Sequence, residues 1–264
     1  MIQDYRNREV LPTSFISADA RHLQMQQCLR LGIPDLDDMV RLYPSSLALI
    51  QGDLSSSIVR ILTTQLTVSL LTNNPRVNLA FVDGANLFPY YEISVEARKR
   101  GLDPLGILDR IQLSRAFNYH QMTEIICRNL PQLIDANPHI RVILVPQVSS
   151  LYLSKEALQY LEYDKLTSTS SILELTQAVG KLKSLCLQYD LVGIMTAESA
   201  PHSKHKALGG TFLSHSATDV IRVTATLENT LLFTVQKGGP VVQEKLFYKA
   251  KSERKEQISL TRYW

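Results

Sequence analysis

Cysteine is scarce in this sequence, and no arrangement of it that does chemistry is present. The three cysteines of the 264-residue chain, Cys28, Cys127 and Cys186, stand far apart with no C-x-x-C pair. That spacing excludes a disulfide framework and a thiolate zinc site, and it makes a reducing cytoplasm the expected compartment. Long apolar runs are missing too: nothing approaches the roughly 18 consecutive apolar residues of a membrane-spanning helix. The opening MIQDYRNREV carries charges where a secretion signal carries its apolar centre. Nor is there an excess of either charge. With 28 Lys+Arg against 25 Asp+Glu the net charge is +3, so any contact with nucleic acid has to come from a local patch. Internal repeats, low-complexity segments and Ser/His/Asp, Cys/His or paired-carboxylate constellations are likewise absent.

What the chain does have is a core. Hydrophobic residues make up 45% of it, enough for one large α/β domain or two small ones. Apolar runs at Leu47–Gln51, Val77–Asp83, Arg110–Ser114, Arg141–Val145 and Leu191–Thr196 read as buried strands. Between them, Ile58, Ile61, Leu62, Leu66 and Leu70 recur at helical spacing and predict an amphipathic helix packed on a sheet. Further helices are expected over Tyr90–Arg100, stopped at Gly101, over His120–Ile134 and over Ser171–Gln188, with a shorter one opening at Asp35. This alternation predicts a mostly parallel sheet with helices on both faces. After residue 210 the rhythm changes: Asp219–Thr224, Leu231–Gln236 and Lys245–Lys249 are strands with short connections, which fit antiparallel hairpins extending the same sheet. The expected division is a tail and linker over 1–30, a core domain over 31–250 and a C-terminal tail over 251–264.

The stretch LALIQGDLSSSIV, Leu47 to Val59, has the outline of a phosphate-binding loop without its chemistry. Such a loop needs Gly-x-x-x-x-Gly-Lys-Ser/Thr between a buried strand and a helix. The glycines let backbone N–H groups wrap the phosphates, the lysine offsets charge, and the hydroxyl holds magnesium. Gly52 fills the first position, but Ser57 replaces the second glycine, Ile58 the lysine and Val59 the hydroxyl residue. Phosphates brought against Ile58 and Val59 lose hydration with nothing to compensate, several kcal/mol per charge. Read simply as a helix start, the serines give a cap, with Ser57 as N-cap before Ile58.

Several segments together resemble the core ATPase domain of the RecA/RadA-type strand-exchange recombinases, most nearly the archaeal and eukaryotic branch and its paralogues. They are LRLGIPDLDDMV, VNLAFVDGANLFP, GLDPLGILDRIQLSRAFNYHQM and ALGGTFLSHSATDVIRV. The likeness runs from about Ser14 to Ala250 and implies a RecA-like core. Measured against that family, three parts of the ATPase apparatus are gone. The phosphate-binding lysine is Ile58. Asp83 is followed by Gly84 and Ala85 where a Thr-Glu pair would supply the water-positioning glutamate. Pro146 stands where the second strand motif would end in a magnesium-holding aspartate. The resemblance therefore implies a domain that does not hydrolyse ATP and needs no cofactor or metal.

It also marks two working surfaces. Phe15-Ile16-Ser17-Ala18 resembles the Phe-x-x-Ala motif by which these recombinases plug into a neighbouring subunit, so Phe15 and Ala18 are candidate contacts to a recombinase or to further copies of this chain. The alternative is that Phe15 covers its own core. Glu198–Leu208 falls where the family has a mobile second DNA loop, and His202, Lys204, His205 and Lys206 cluster there. Lysines on a flexible loop suit phosphate contacts on single-stranded DNA, although no aromatic residue accompanies them; a solvated surface loop is the other reading. His202-x-x-His205 lacks a third ligand for a metal. The expectation is thus a non-catalytic recombinase paralogue assisting homologous recombination or repair, in the cytoplasm or on a prokaryotic nucleoid. Its rival is a protein-interaction module that assembles through Phe15 and Ala18 without touching nucleic acid.

Overall fold

Seven residues, Ser46–Gly52, form strand β1, and every one of them is buried. The strand lies between two parallel neighbours, and its alternate side chains feed two different cores. Ala48 and Ile50 enter one cluster, while Leu47 and Leu49 enter the other. A strand covered on both faces has no solvent side to keep polar, which is why its sequence is continuously apolar. The structure is a computed structural model that describes residues 28, 29, 37, 40–153, 165–200, 203–225, 230–238 and 246–249. The expected Phe15–Ala18 motif and the 251–264 tail lie outside them, as does most of the helix expected to open at Asp35.

Eight further strands are described: β2 (Asn78–Asp83), β3 (Ile111–Arg115), β4 (Ile140–Val145), β5 (Val192–Ala200), β6 (Ser203–Ala207), β7 (Asp219–Ala225), β8 (Thr230–Lys237) and β9 (Leu246–Lys249). They make a mixed sheet in the order β3-β2-β4-β5-β1-β7-β8-β9, with β6 paired to the end of β5. From β3 to β7 every neighbouring pair is parallel, and β8 and β9 continue antiparallel. The α/β architecture with an antiparallel C-terminal extension thus matches the sequence reading.

Helices α1 (Ser56–Asn73), α2 (Tyr90–Lys99) and α3 (Pro104–Leu108) cover one face of the sheet. The other face carries α4 (Tyr119–Glu124), α5 (Leu130–Ala136), α6 (Lys165–Tyr189) and α7 (Thr211–Ser216). Each large side chain sealed in these layers, such as Phe81 or Leu66, contributes roughly 1.5–3 kcal/mol.

Helix α1 departs from the expected amphipathic pattern. Besides Leu62, Leu66 and Leu70 it buries Thr63, Thr64, Thr67 and Ser69, so its polar side also faces protein. Two of these hydroxyls are satisfied within the helix, Thr63 donating to the Val59 carbonyl at 2.8 Å and Thr64 to that of Arg60 at 2.7 Å, while that of Thr67 is buried without a partner among the described residues. At its far end Asn74 caps the helix. The Arg110 guanidinium donates to the carbonyls of Leu71, Asn74 and Val77, a cation on the negative end of the helix dipole. Burial pulls the Arg110 pKa below its usual value.

The expected helix over His120–Ile134 is interrupted. A single π turn, Ile125–Asn129, joins α4 to α5, with the Leu130 N–H reaching the Ile125 carbonyl. Pro131 follows immediately. Its missing N–H removes one rung of the ladder, and the wider turn accommodates that loss.

Candidate functional site

Ligands of open parallel sheets bind outside the carboxyl ends of the strands, so the turns after β1, β2, β3, β4 and β5 decide what this protein can hold. The turn after β1 is short: only Asp53, Leu54 and Ser55 separate Gly52 from the first helical residue, Ser56. Gly52 has φ +138, and a Cβ there would overlap the carbonyl oxygen of Val223 on β7. Its glycine is thus required by close approach to a neighbouring strand. The helix cap is Ser55, whose hydroxyl accepts from the Ile58 N–H, rather than Ser57, which is exposed and hydrogen-bonds to Ser55 at 3.0 Å. The cause is Leu54, only 1% exposed. Burying that side chain pulls the chain back to the core and starts α1 early. Ile58 packs against the same cluster, and Val59, in the hydroxyl position of a phosphate-binding loop, is 0% exposed.

A glutamine that sequence reasoning passed over closes the space above this turn. Gln147 follows buried Pro146 at the end of β4 and takes a left-handed backbone, φ 48. Its side-chain amide donates to the Leu54 carbonyl at 2.9 Å, and its carbonyl oxygen accepts from the Glu198 N–H at 3.1 Å. Its own N–H reaches the Thr196 hydroxyl at 2.9 Å. One side chain therefore ties the turn after β1 to the ends of β4 and β5. The only sequence hint is a polar residue beside a proline at the end of a buried strand.

Asp83 ends β2 and is fully buried. Its oxygens accept the N–H groups of Leu87 at 2.8 Å and Phe88 at 3.1 Å, and the Arg115 guanidinium lies 3.4 Å away. The carboxylate thus holds the turn into α2. Ala85, which the family resemblance sets where a water-positioning glutamate would stand, is half-buried and packs on the α1 face. Beside it lies an open pocket of about 340 Å³, lined by residues 84–86, 115–117, 150 and 151.

The expected mobile loop at Glu198–Leu208 is, over its described residues, a hairpin. Strand β5 runs on to Ala200 and β6 returns from Ser203, pairing Ala200 with Ser203 and Ser199 with Ala207. Lys204, His205 and Lys206 lie on β6, and His202 lies outside the described residues. Lys206 is exposed, whereas the next residue, Ala207, is buried in the α6-side core. That burial gives the hairpin its anchor.

Among the described residues no group of three or more His, Cys, Asp or Glu side chains is placed to hold a metal ion, and no helix is long and apolar enough to cross a membrane. Burial pushes the Cys186 thiol up to about 12 and raises that of Cys127 as well, which leaves both poor nucleophiles at neutral pH. No protein-family model matches the chain, and no curated protein matches its sequence.

Proposed function

We propose that this chain has a RecA-like core without a nucleotide engine. On this reading it is a non-catalytic recombinase paralogue that binds single-stranded DNA, a recombinase filament, or both, and assists homologous recombination or DNA repair. The observation that carries the reading is the turn after β1. It is only three residues long, with Leu54 buried and its carbonyl held by the Gln147 amide, and it sits in a mostly parallel sheet with an antiparallel extension; this supports the reading. Lys206, exposed on β6, supplies a cation at the carboxyl end of the sheet.

Two titrations test this. A fluorescent ATP analogue with magnesium is expected to give no saturable binding up to millimolar concentration; tight binding would sink the reading. Anisotropy with a labelled single-stranded oligonucleotide is expected to show binding at low salt that weakens as salt rises. Lys204→Ala together with Lys206→Ala should then reduce the slope of log K on log salt by about 0.7 for each phosphate that is no longer neutralised.

The second reading, an interaction module, has an observation of its own. Among the described residues β3 pairs only with β2, and Leu113 on it is exposed. A free strand edge is a template for strand addition by another chain. Loss of assembly on Phe15→Ala, with function unchanged by Lys204→Ala and Lys206→Ala, would favour it.

A further inference from the structure

The pocket at the ends of β2, β3 and β4 combines features that the hairpin lacks. Phe117, just after β3, is 77% exposed, although a phenyl ring in water is costly. Arg115, two residues earlier, lines the same pocket with a half-exposed guanidinium. Its neighbour Asp83 already accepts two backbone N–H groups, so Arg115 is only partly committed to that carboxylate at 3.4 Å. Asn86, exposed and held in a left-handed conformation with φ 55, offers its side-chain amide. Ser150 lines the pocket too, with its hydroxyl buried and unpartnered. An aromatic face, a cation and an amide around an open hollow of about 340 Å³ match the chemistry of one nucleotide: a ring to stack, a phosphate and base-edge hydrogen bonds.

Position supports the match. The pocket opens at the carboxyl ends of the strands, with Ala116 and Leu151 of its lining in the α6-side cluster and Ala85 in the α1-side one. Ala207 of the hairpin is buried in the α6-side cluster. In the order β3-β2-β4-β5 three strand spacings of roughly 4.8 Å separate β3 from β5, about 14 Å across the sheet, and β5 runs on to Ala200, about 13 Å past the level of Arg115, so the two ends lie about 20 Å apart. A strand of DNA laid along this edge reaches both. Acids along this edge include Asp83, already bonded, Glu92, paired at 3.4 Å with the Arg60 guanidinium that also reaches the Asn86 carbonyl, Glu174, engaged with His120 at 2.9 Å, and Glu198 at the foot of the hairpin.

We propose that this pocket is a base-stacking subsite for single-stranded DNA, in which Phe117 stacks one base and Arg115 contacts the adjoining phosphate. It rests on the DNA-binding reading above and adds to it the aromatic platform absent from the hairpin. The test is anisotropy with a labelled single-stranded oligonucleotide on the full chain, comparing Phe117→Ala, Phe117→Trp and Arg115→Ala with the unmodified protein. Because Phe117 is largely exposed, its variants are expected to fold. Phe117→Ala should weaken binding by about 5- to 100-fold with an unchanged salt slope, and Phe117→Trp should restore it, with indole quenching by the oligonucleotide above the background of Trp264. Arg115→Ala should lower the salt slope by about 0.7. An abasic oligonucleotide should bind Phe117→Ala and the unmodified protein equally. Unchanged affinity of Phe117→Ala for a normal strand would overturn the subsite and leave the DNA-binding reading standing. Failure of the unmodified protein to bind single-stranded DNA at low salt would overturn both.

Discussion

Gly52→Ala is expected to destabilise the protein by about 2–6 kcal/mol, a large part of the whole margin of an ordinary domain. Two costs combine. A backbone at φ +138 is one that residues with a Cβ rarely adopt, and holding alanine there costs about 1–3 kcal/mol. The added methyl also meets the backbone of Val223, its carbon and nitrogen at 2.8 and 2.9 Å and its oxygen closer still. Backbone in the middle of a sheet cannot step aside as a flexible side chain does. The pairing of β1 with β7 must open, and with it the Asp53 N–H bond to the Val223 carbonyl at 2.9 Å; overpacking of this kind adds about 1–3 kcal/mol. Gly101→Ala separates the two terms. Gly101 also has a positive φ, +71, but no neighbour within 4 Å of a built Cβ, so its alanine variant should lose only about 1–2 kcal/mol. Urea unfolding of both variants measures the difference. Equal midpoints would show that contact with β7 is not what fixes the glycine.

The same position shows how far the sequence could be read. Its glycine was visible as the start of a would-be phosphate loop, yet the reason for it lies on β7, a strand far along the chain that also ties the Ala225 N–H to the Asp53 carboxylate, 172 residues apart. The strands themselves were legible because a parallel strand with neighbours on both sides writes burial into every residue, as LALI in β1 and VILV in β4 do. What lay beyond reach were features decided by a distant partner. Gln147 is one: nothing local to it foretells a bond to Leu54, 93 residues away. The buried threonines of α1 are another, because a Thr in a helix has the same local signature whether protein or water covers it. Three consecutive serines gave no means of choosing a cap until the burial of Leu54 fixed where the helix begins. The hairpin at β5 and β6 was hidden for a related reason, since Ser, Lys, His and Ala carry weak strand preference and only the burial of Ala207 fixes the pairing.

Asp83→Ala is the second large effect expected, a loss of about 3–5 kcal/mol, and its form distinguishes a structural carboxylate from a catalytic remnant. Asp83 is 0% exposed. A charge so buried persists only where donors surround it, and here they are the N–H groups of Leu87 and Phe88 and the Arg115 guanidinium. Hydrogen bonds to an ionised group are worth about 1.5–3 kcal/mol each. Removing the acceptor leaves two amides at the entry to α2 without partners and a cavity beside Phe81 and Phe88, whose rings pack edge to face at 4.9 Å. Asp83→Asn should cost less, about 1.5–3 kcal/mol, because one oxygen still accepts while the new amide group opposes the second N–H. Arg115→Ala should cost about 1 kcal/mol or less, since its side chain is half in water and the aspartate keeps both amide donors. The order Ala worse than Asn, and both worse than Arg115→Ala, is what a carboxylate serving the backbone predicts in chemical denaturation. A carboxylate kept for chemistry predicts the reverse, with stability held or raised on its removal and only function lost. An Asp83→Ala protein with an unchanged urea midpoint would therefore overturn the structural role assigned to this residue.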